Sequence, residues 1–186
     1  MEDEQIVDLY WQREEAAISE TKKKYSHYLT KIAYNILANF EDSEEVVNDI
    51  YLKAWNSIPP HKPQLLSTYL AKLARRLSID VYRKKSSQKR GGTEYDLSLS
   101  ELEICVSGKD NPEQEMELQQ LGEAISTYLH SLPEENRNVF VCRYFFCDSI
   151  QEIAAYIHGS EPKVKSMLYR IRLGLRAYLE KEGYVL

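Results

Sequence analysis

Apolar side chains recur at intervals of three and four residues along nearly the whole 186-residue chain, and residues 86–112 form the stretch that breaks this pattern. Helical spacing of this kind predicts amphipathic α-helices, each with one buried face. No run of useful length alternates as a half-buried strand does. The broken stretch holds Gly91, Gly92 and Gly108 among scattered acids, a composition typical of a linker.

The pattern therefore predicts an all-α fold of two small helical domains, 1–88 and 113–186. Between them we predict an acidic flexible linker over 89–112, in which a short helix can form around Leu99 to Ile104. A chain of this length can hold two such domains but not a large enzyme.

The first predicted domain contains three clear helices. The buried stripe of the first is Tyr25, Leu29, Ile32, Ala33, Ile36 and Leu37. Asp42 and Glu45 have capping-box spacing and predict the start of the second, whose core face is Val47, Ile50, Tyr51 and Ala54. Pro59, Pro60 and Pro63 predict a break, because proline lacks the backbone donor that a helix needs. The stripe of the third helix is Leu70, Leu73, Ala74, Leu77 and Val81.

The second predicted domain ends in a helix-turn-helix. A helix starts at Pro133, and Ser149 with Glu152 forms a capping box for a short helix after it. His158-Gly159 predicts a tight break. Ser160 can cap a last helix with Pro162 in its first turn, where a missing donor costs little. This helix packs through Val164, Leu168, Ile171 and Leu175. Two short helices, a turn and a longer basic helix match the helix-turn-helix pattern.

Charge is distributed unevenly along the chain, although the net charge is −5. Residues 62–90 hold nine Lys/Arg and one acid, and residues 163–181 hold six Lys/Arg and one acid. Residues 94–123 hold nine acids and a single lysine. Because salt screens charge within about 10 Å, a nucleic acid responds to the local field rather than to the total. The two basic segments are thus candidate nucleic-acid contacts.

One side of the third helix, opposite its core stripe, is basic and carries an aromatic ring. This first basic face comprises Lys72, Arg75, Arg76, Tyr82 and Arg83, with Lys84 directly after them. Cations can contact phosphates while a tyrosine ring stacks on an unpaired base. A merely solvated face is the alternative, which the further basic residues up to Arg90 make the weaker one.

The outer side of the last helix is the second basic face. It comprises Lys163, Lys165, Ser166, Tyr169, Arg170 and Arg172. Such a helix can enter the major groove, where Lys and Arg pair with guanine edges. Lys165 and Arg170 are our candidates for base contact, and Arg172 and Arg176 for phosphate contact. The alternative is a solubilising face on a terminal helix.

The helix after Asp42 carries a different kind of surface. Its docking face comprises Glu45, Asn48, Asp49, Leu52 and Trp55. Exposed apolar side chains among acids are typical of a protein-docking surface. For Trp55, covering the core is an equally good interpretation.

Other function classes find little support. No nucleophile elbow, phosphate-binding glycine loop or HExxH pattern occurs, and the four histidines are scattered. We therefore predict no enzyme activity and no cofactor. Cys105, Cys142 and Cys147 lack metal-ligand spacing. No apolar run is long enough to cross a bilayer, and the acidic start lacks a targeting core. We expect a cytoplasmic protein without membrane insertion.

The helices after Asp42 and Thr68 resemble region two of bacterial sigma factors, on the segments Asp42–Trp55 (DSEEVVNDIYLKAW) and Thr68–Arg83 (TYLAKLARRLSIDVYR). Leu132–Tyr144 (LPEENRNVFVCRY) and Glu152–Arg170 are similar to region four. The likeness covers about residues 5–85 and 113–182 in the order typical of the extracytoplasmic-function type of the sigma-70 family.

This resemblance implies that the docking face binds core RNA polymerase. It implies that the first basic face handles the minus-ten promoter element and that the second reads the minus-thirty-five element. The acidic linker would thread into the polymerase, and an anti-sigma factor is a further partner that the family allows. Tyr69, Arg76 and Met167 depart from the usual Trp, Asn and Arg.

Two other classes compete with this interpretation. A stand-alone helix-turn-helix regulator would use the first domain for dimerisation or sensing, which explains the second domain equally well. It leaves the first basic face and the docking face unexplained. A scaffolding protein would make both basic faces incidental.

Overall fold

The computed structural model describes residues 1–85, 93–103 and 115–184, and every regular element in these ranges is an α-helix. The chain divides into two compact units, Met1–Thr93 (unit 1) and Glu94–Leu186 (unit 2). The prediction of an all-α fold with two helical domains is confirmed. None of the described helices is both long and apolar enough to cross a bilayer.

Four helices are present in the described part of unit 1. They are α1 (Asp3–Trp11), α2 (Ala16–Leu37), α3 (Phe40–Ser57) and α4 (Leu66–Lys85). Helices α2, α3 and α4 pack on one another, and α1 lies against α2 and α4. The predicted stripe of α2 is largely confirmed, since Leu29, Ile32, Ala33 and Ile36 are fully or almost fully buried. Helix α3 ends directly before Ile58 and the predicted prolines.

Two local predictions in unit 1 were wrong in detail. Helix α3 begins before Asp42: its N-cap is Asn39, whose side-chain oxygen accepts a hydrogen bond from the Asp42 amide at 3.0 Å. Helix α4 is rotated relative to the predicted stripe, because the buried residues are Leu66, Leu70, Ala71, Ala74 and Ser78. Leu73, Leu77 and Val81 are only half-buried. The polar Ser78 breaks the apolar pattern on the face that is buried.

The described residues of unit 2 form five helices. They are α5 (Glu94–Glu103), α6 (Glu115–Ser131), α7 (Glu134–Tyr144), α8 (Ile150–Tyr156) and α9 (Glu161–Lys181). The core lies between α7, α8 and α9, with α6 packed on α9. Its fully or nearly fully buried members include Val139, Ile153, Val164, Leu168 and Leu175.

The predicted caps of the helix-turn-helix are confirmed. Ser149 and Glu152 form the reciprocal capping box of α8, and the Ser160 hydroxyl accepts from the Lys163 amide at 3.4 Å. In the turn, His158 rather than Gly159 adopts the left-handed conformation, with φ of 49°. The turn thus places a side-chain-bearing residue where glycine is preferred.

Part of the predicted linker is helical. Helix α5 starts five residues before Leu99, and its Tyr95 and Ser98 are buried in unit 2. The boundary between the units falls between Thr93 and Glu94, inside the predicted linker range 89–112, and α5 belongs to unit 2. The remaining linker residues, 89–92 and 104–112, lie outside the described ranges.

Candidate nucleic-acid interface

The first basic face lies on α4, away from the core of unit 1. Lys72, Arg76, Arg83 and Lys84 are exposed, while Arg75 and Tyr82 are half-buried. Within the described ranges, Lys72 and Arg76 have no ion-pair partner. Helix α4 places these two side chains one turn apart, since they are four residues apart. Both cations are thus available to an anionic strand.

An aromatic contact joins the start of α4 to the segment after α3. The Tyr69 hydroxyl shares a hydrogen bond of 2.6 Å with the Ser57 hydroxyl. The rings of Tyr69 and His61 lie 6.4 Å apart between centroids. Neither His61 nor Ser57 was singled out by sequence, because neither follows the helical stripe. These contacts fix the proline-rich segment beside the first basic face.

The docking face lies on the solvent side of α3. Glu45, Asn48, Asp49 and Leu52 are exposed, and the exposed fraction of Leu52 is 60%. Phe40 at the start of the same helix is similarly exposed, at 59%. The exposure of Leu52 is thus compatible with the predicted docking face, although single exposed apolar residues are common on protein surfaces.

Trp55 differs from the rest of the docking face. It is half-buried, and its ring lies 6.2 Å from that of Tyr10 on α1. The Arg13 guanidinium sits 5.3 Å from the Trp55 ring centroid, a cation–π contact. Arg13 also donates a hydrogen bond to the Trp55 carbonyl oxygen. Trp55 thus covers the core and anchors the turn after α1, as its alternative interpretation predicted.

The second basic face lies on α9, and its outer residues are well exposed. Lys163, Lys165, Tyr169 and Arg170 are exposed, and Ser166 is half-buried. Lys163 pairs with Glu135 at 3.1 Å and Lys165 with Glu161 at 3.8 Å. Exposed pairs of this kind contribute little, about 0–1 kcal/mol. Both lysines can exchange a carboxylate for a phosphate at small cost.

Arg172 stands apart from the other residues of this face. Only 14% of its side chain is exposed. Its guanidinium donates to the Tyr144 hydroxyl at 2.6 Å and to Glu101 Oε2 at 3.2 Å. In this conformation Arg172 is engaged inside unit 2, which differs from the open phosphate contact predicted from sequence.

The same carboxylate holds a buried arginine. Arg143 is 2% exposed, and Glu101 Oε1 accepts from its Nη2 at 2.7 Å. Arg143 Nη1 donates to Glu94 at 2.7 Å and to the Asp148 carbonyl oxygen at 2.9 Å. Burial alone would lower the pKa of Arg143, but the hydrogen bonds and charges of the two glutamates raise it above the ordinary value. The arginine is therefore a fixed cation at the centre of unit 2.

Metal chemistry has no site within the described ranges, where no group of three potential ligands is assembled. Cys147 is buried and Cys142 half-buried, and neither forms a disulfide within the described ranges. Cys105 lies outside the description.

Two family models match the chain. "Sigma-70 region 2" matches residues 22–88, and "Sigma-70, region 4" matches residues 122–175. Together they cover more than half of the sequence. The first model contains the docking face and α4, and the second contains the helix-turn-helix.

Curated relatives carry sigma-factor names at low identity. The chain is 25% identical over 168 residues to "ECF RNA polymerase sigma factor SigE" of Mycolicibacterium smegmatis, covering 88% of this chain and 62% of that one. It is 25% identical over 153 residues to "RNA polymerase sigma factor SigV" of Bacillus subtilis, covering 82% and 84%. A probable sigma factor of Xanthomonas campestris, RfaY, is 23% identical and is covered over 36% of its length. The chain thus spans less than two thirds of two of these relatives.

A solved structure, "CnrH in complex with the cytosolic domain of CnrY", aligns over 97% of this chain and 99% of that chain. The identity is 19% and the TM-score 0.45.

Proposed function

This chain belongs to the sigma-70 family, in its extracytoplasmic-function type, and we propose that it binds core RNA polymerase and directs transcription initiation at specific promoters. The observation that carries the proposal is the distribution of surfaces. Each of two separate units presents one basic helix, and unit 1 adds a docking face on a different helix. A stand-alone regulator needs one DNA-reading helix and explains neither α4 nor Leu52.

In this proposal unit 1, which includes the predicted domain 1–88, docks on polymerase and opens the minus-ten element. Lys72 and Arg76 meet the phosphates of the non-template strand, and Tyr82 offers a stacking surface at the end of α4. Arg75, Arg83 and Lys84 extend the same positive field. We expect this activity in the cytoplasm, where core polymerase acts.

Unit 2 reads the upstream element in duplex form. The capped N-terminus of α9 points Lys165, Ser166 and Tyr169 outward within its first turns, the part of a recognition helix that meets base edges. Arg170, one residue further, is exposed and can reach a guanine edge. We expect Lys163 to contact the DNA backbone.

The first test removes the docking face. Leu52→Ala with Asp49→Ala should lower capture of core polymerase about tenfold or more, because a central apolar side chain contributes most of such an interface. Co-elution of the purified chain with bacterial core polymerase measures it. Phe40→Ala with Glu44→Ala is the matched control, since Phe40 on the same helix is 59% exposed and lies outside the docking face.

The control pair should leave capture unchanged, and circular dichroism should show full helicity in both double variants. If the Leu52 and Asp49 variant lost helicity, the face would be structural. If it captured polymerase normally, the docking assignment would be wrong, and tight promoter binding without core would favour the regulator.

The second test addresses promoter opening. Arg76→Ala or Tyr82→Ala should slow open-complex formation by about tenfold, with little change in closed-complex binding, because their strand contacts form only after unpairing. Stopped-flow fluorescence of a labelled promoter with holoenzyme separates the two steps. Equal effects on both steps would reduce these residues to general phosphate contacts.

A further inference from the structure

An anion-binding site lies between α7 and α9, and a carboxylate of α5 occupies it. Glu101 Oε1 accepts from Arg143, and Glu101 Oε2 accepts from the Tyr144 hydroxyl at 2.9 Å and from Arg172 at 3.2 Å. Two guanidinium groups and a phenol hydroxyl thus surround one carboxylate. Arginine forks of this kind fit carboxylate and phosphate oxygens alike.

This site adjoins the second basic face. Arg172 follows Lys165 by seven residues and precedes Arg176 by four. At helical spacing these three side chains form one flank of α9. An anion held by Arg172 is therefore in line with the cations that would follow a DNA backbone.

Helix α5 contacts unit 2 through both apolar and charged side chains. Tyr95 is buried and Leu102 packs on the hydrophobic core, whereas Leu97 and Leu99 are exposed at 49% and 40%. Its ion pairs are those of Glu94 and Glu101 with Arg143 and of Glu101 with Arg172. An anion that competes for the two arginines removes this charged part of the α5 contact.

We propose that Glu101 acts as an internal stand-in for a DNA phosphate, so that α5 masks a backbone contact of unit 2 until it is displaced. Docked α5 engages Arg172 and places the negative charge of Glu101 on this flank of α9. Undocked α5 frees Arg172 for a phosphate. The inference rests on the proposed function, since it requires unit 2 to bind duplex DNA.

Neutralising the stand-in tests this in the full-length chain without polymerase. Glu101→Gln should bind a mixed-sequence DNA duplex about fivefold to tenfold more tightly at low salt, and the slope of log affinity against log salt should steepen by about one. Fluorescence anisotropy gives both quantities. Glu182→Gln, an exposed carboxylate after α9, is the charge-matched control and should change affinity less than twofold.

A second experiment prevents α5 from undocking and should therefore weaken DNA binding. The Ser98 Oγ lies 3.9 Å from the Cys147 Sγ, so Ser98→Cys should form a disulfide there, with Cys105→Ser and Cys142→Ser to prevent other pairings. The oxidised protein should bind the duplex several-fold more weakly than the same protein after reduction. The disulfide keeps α5 docked, so the conformation that binds DNA is no longer populated. In an Arg172→Ala background, Glu101→Gln should lose its effect.

The proposed masking by α5 is wrong if oxidised and reduced Ser98→Cys bind the duplex equally, or if Glu101→Gln does not bind it more tightly. It is also wrong if no variant binds the duplex detectably. Should Glu101→Gln unfold unit 2, the locked arm still decides. If both arms behave as expected while core polymerase is not captured, the mask stands and the proposed function fails.

Discussion

The two basic helices differ in how their cations are balanced. On α4, Lys72 and Arg76 have no ion-pair partner within the described ranges. On α9, by contrast, Lys163, Lys165 and Arg172 each contact a carboxylate. Lys72 and Arg76 can therefore accept an anionic strand directly, whereas Lys163, Lys165 and Arg172 must each exchange a carboxylate for a phosphate. The exchange is cheap at the two exposed lysines and costly only at Arg172, where the pair is largely buried.

The cores of the two units also differ in the charge that they bury. Buried polar groups in unit 1 are small or neutral: Thr21 and Tyr10, for example, share a hydrogen bond of 2.9 Å. Unit 2 buries a full charge, Arg143, and balances it with acids from a helix that sequence assigned mainly to the linker. The stability of unit 2 therefore depends on α5 in a way that unit 1 does not match.

Removing the buried charge is the strongest way to test this contrast. Arg143→Ala should destabilise unit 2 by about 3–5 kcal/mol, because it deletes a buried partner of two carboxylates and leaves a cavity. Trp11 and Trp55, the two tryptophans of the chain, both lie in unit 1. In urea, far-UV circular dichroism should thus show an earlier transition while tryptophan fluorescence does not move.

Arg137→Ala is the control for this variant, since Arg137 is half-buried on the same helix and has no ion pair within the described ranges. Its effect should be below about 1 kcal/mol. A fluorescence transition that shifts together with the dichroism would show that the two units unfold as one.

The proposed base-reading role of α9 extends the comparison to function. Arg170→Ala should weaken discrimination at one upstream base pair by about 1–3 kcal/mol, because a bidentate contact to guanine is lost. Arg176→Ala should instead lower affinity for all sequences and flatten the salt slope by about one. Holoenzyme binding to a library of upstream elements at two salt concentrations measures both.

If Arg170→Ala left the preferred upstream sequence unchanged, Arg170 would not be a base-reading residue. If Lys165→Ala also left the preference unchanged, unit 2 would recognise DNA chiefly through its shape and backbone.

Sequence was sufficient where a local signal decides the structure. The caps at Ser149 and Ser160 and the end of α3 before the prolines depend on neighbouring residues, and all three are confirmed. The exposed members of both basic faces also follow from helical spacing alone. These features need no knowledge of the distant chain.

The remaining features depend on contacts between distant residues. Glu101 and Arg143 are far apart in sequence, and charged residues carry no apolar periodicity, so nothing local predicted their pairing. For the same reason nothing local predicted that Arg172, our candidate for phosphate contact, engages Glu101 and Tyr144 inside unit 2. Ser78 on α4 is polar but fully buried. A stripe defined by apolar residues alone therefore missed the buried face of α4 by part of a turn.

Glycine use provides the last contrast, and its expected effect is the smallest. All seven glycines lie after residue 90, so the helices of unit 1 pack without any. In unit 2, a Cβ on Gly174 of α9 would lie 2.3 Å from the Tyr128 hydroxyl oxygen, which is itself bonded to the Ile171 carbonyl at 3.0 Å. Gly174→Ala should therefore destabilise unit 2 by about 1–2 kcal/mol, the overpacking cost exceeding the helix propensity gained.

The effect of Gly174→Ala on the stability of unit 2 should change sign when the Tyr128 hydroxyl is removed. In a Tyr128→Phe background the nearest ring carbon would be 3.4 Å from the new methyl group, an ordinary contact, so Gly174→Ala should stabilise by up to about 1 kcal/mol through propensity. Gly122→Ala on α6, where a Cβ meets nothing within 4 Å, should stabilise in either background. Urea unfolding followed by circular dichroism measures all four variants. A destabilisation by Gly174→Ala that persists without the hydroxyl would mean that α6 and α9 approach too closely along their backbones, and that the glycine is needed for the helix crossing itself.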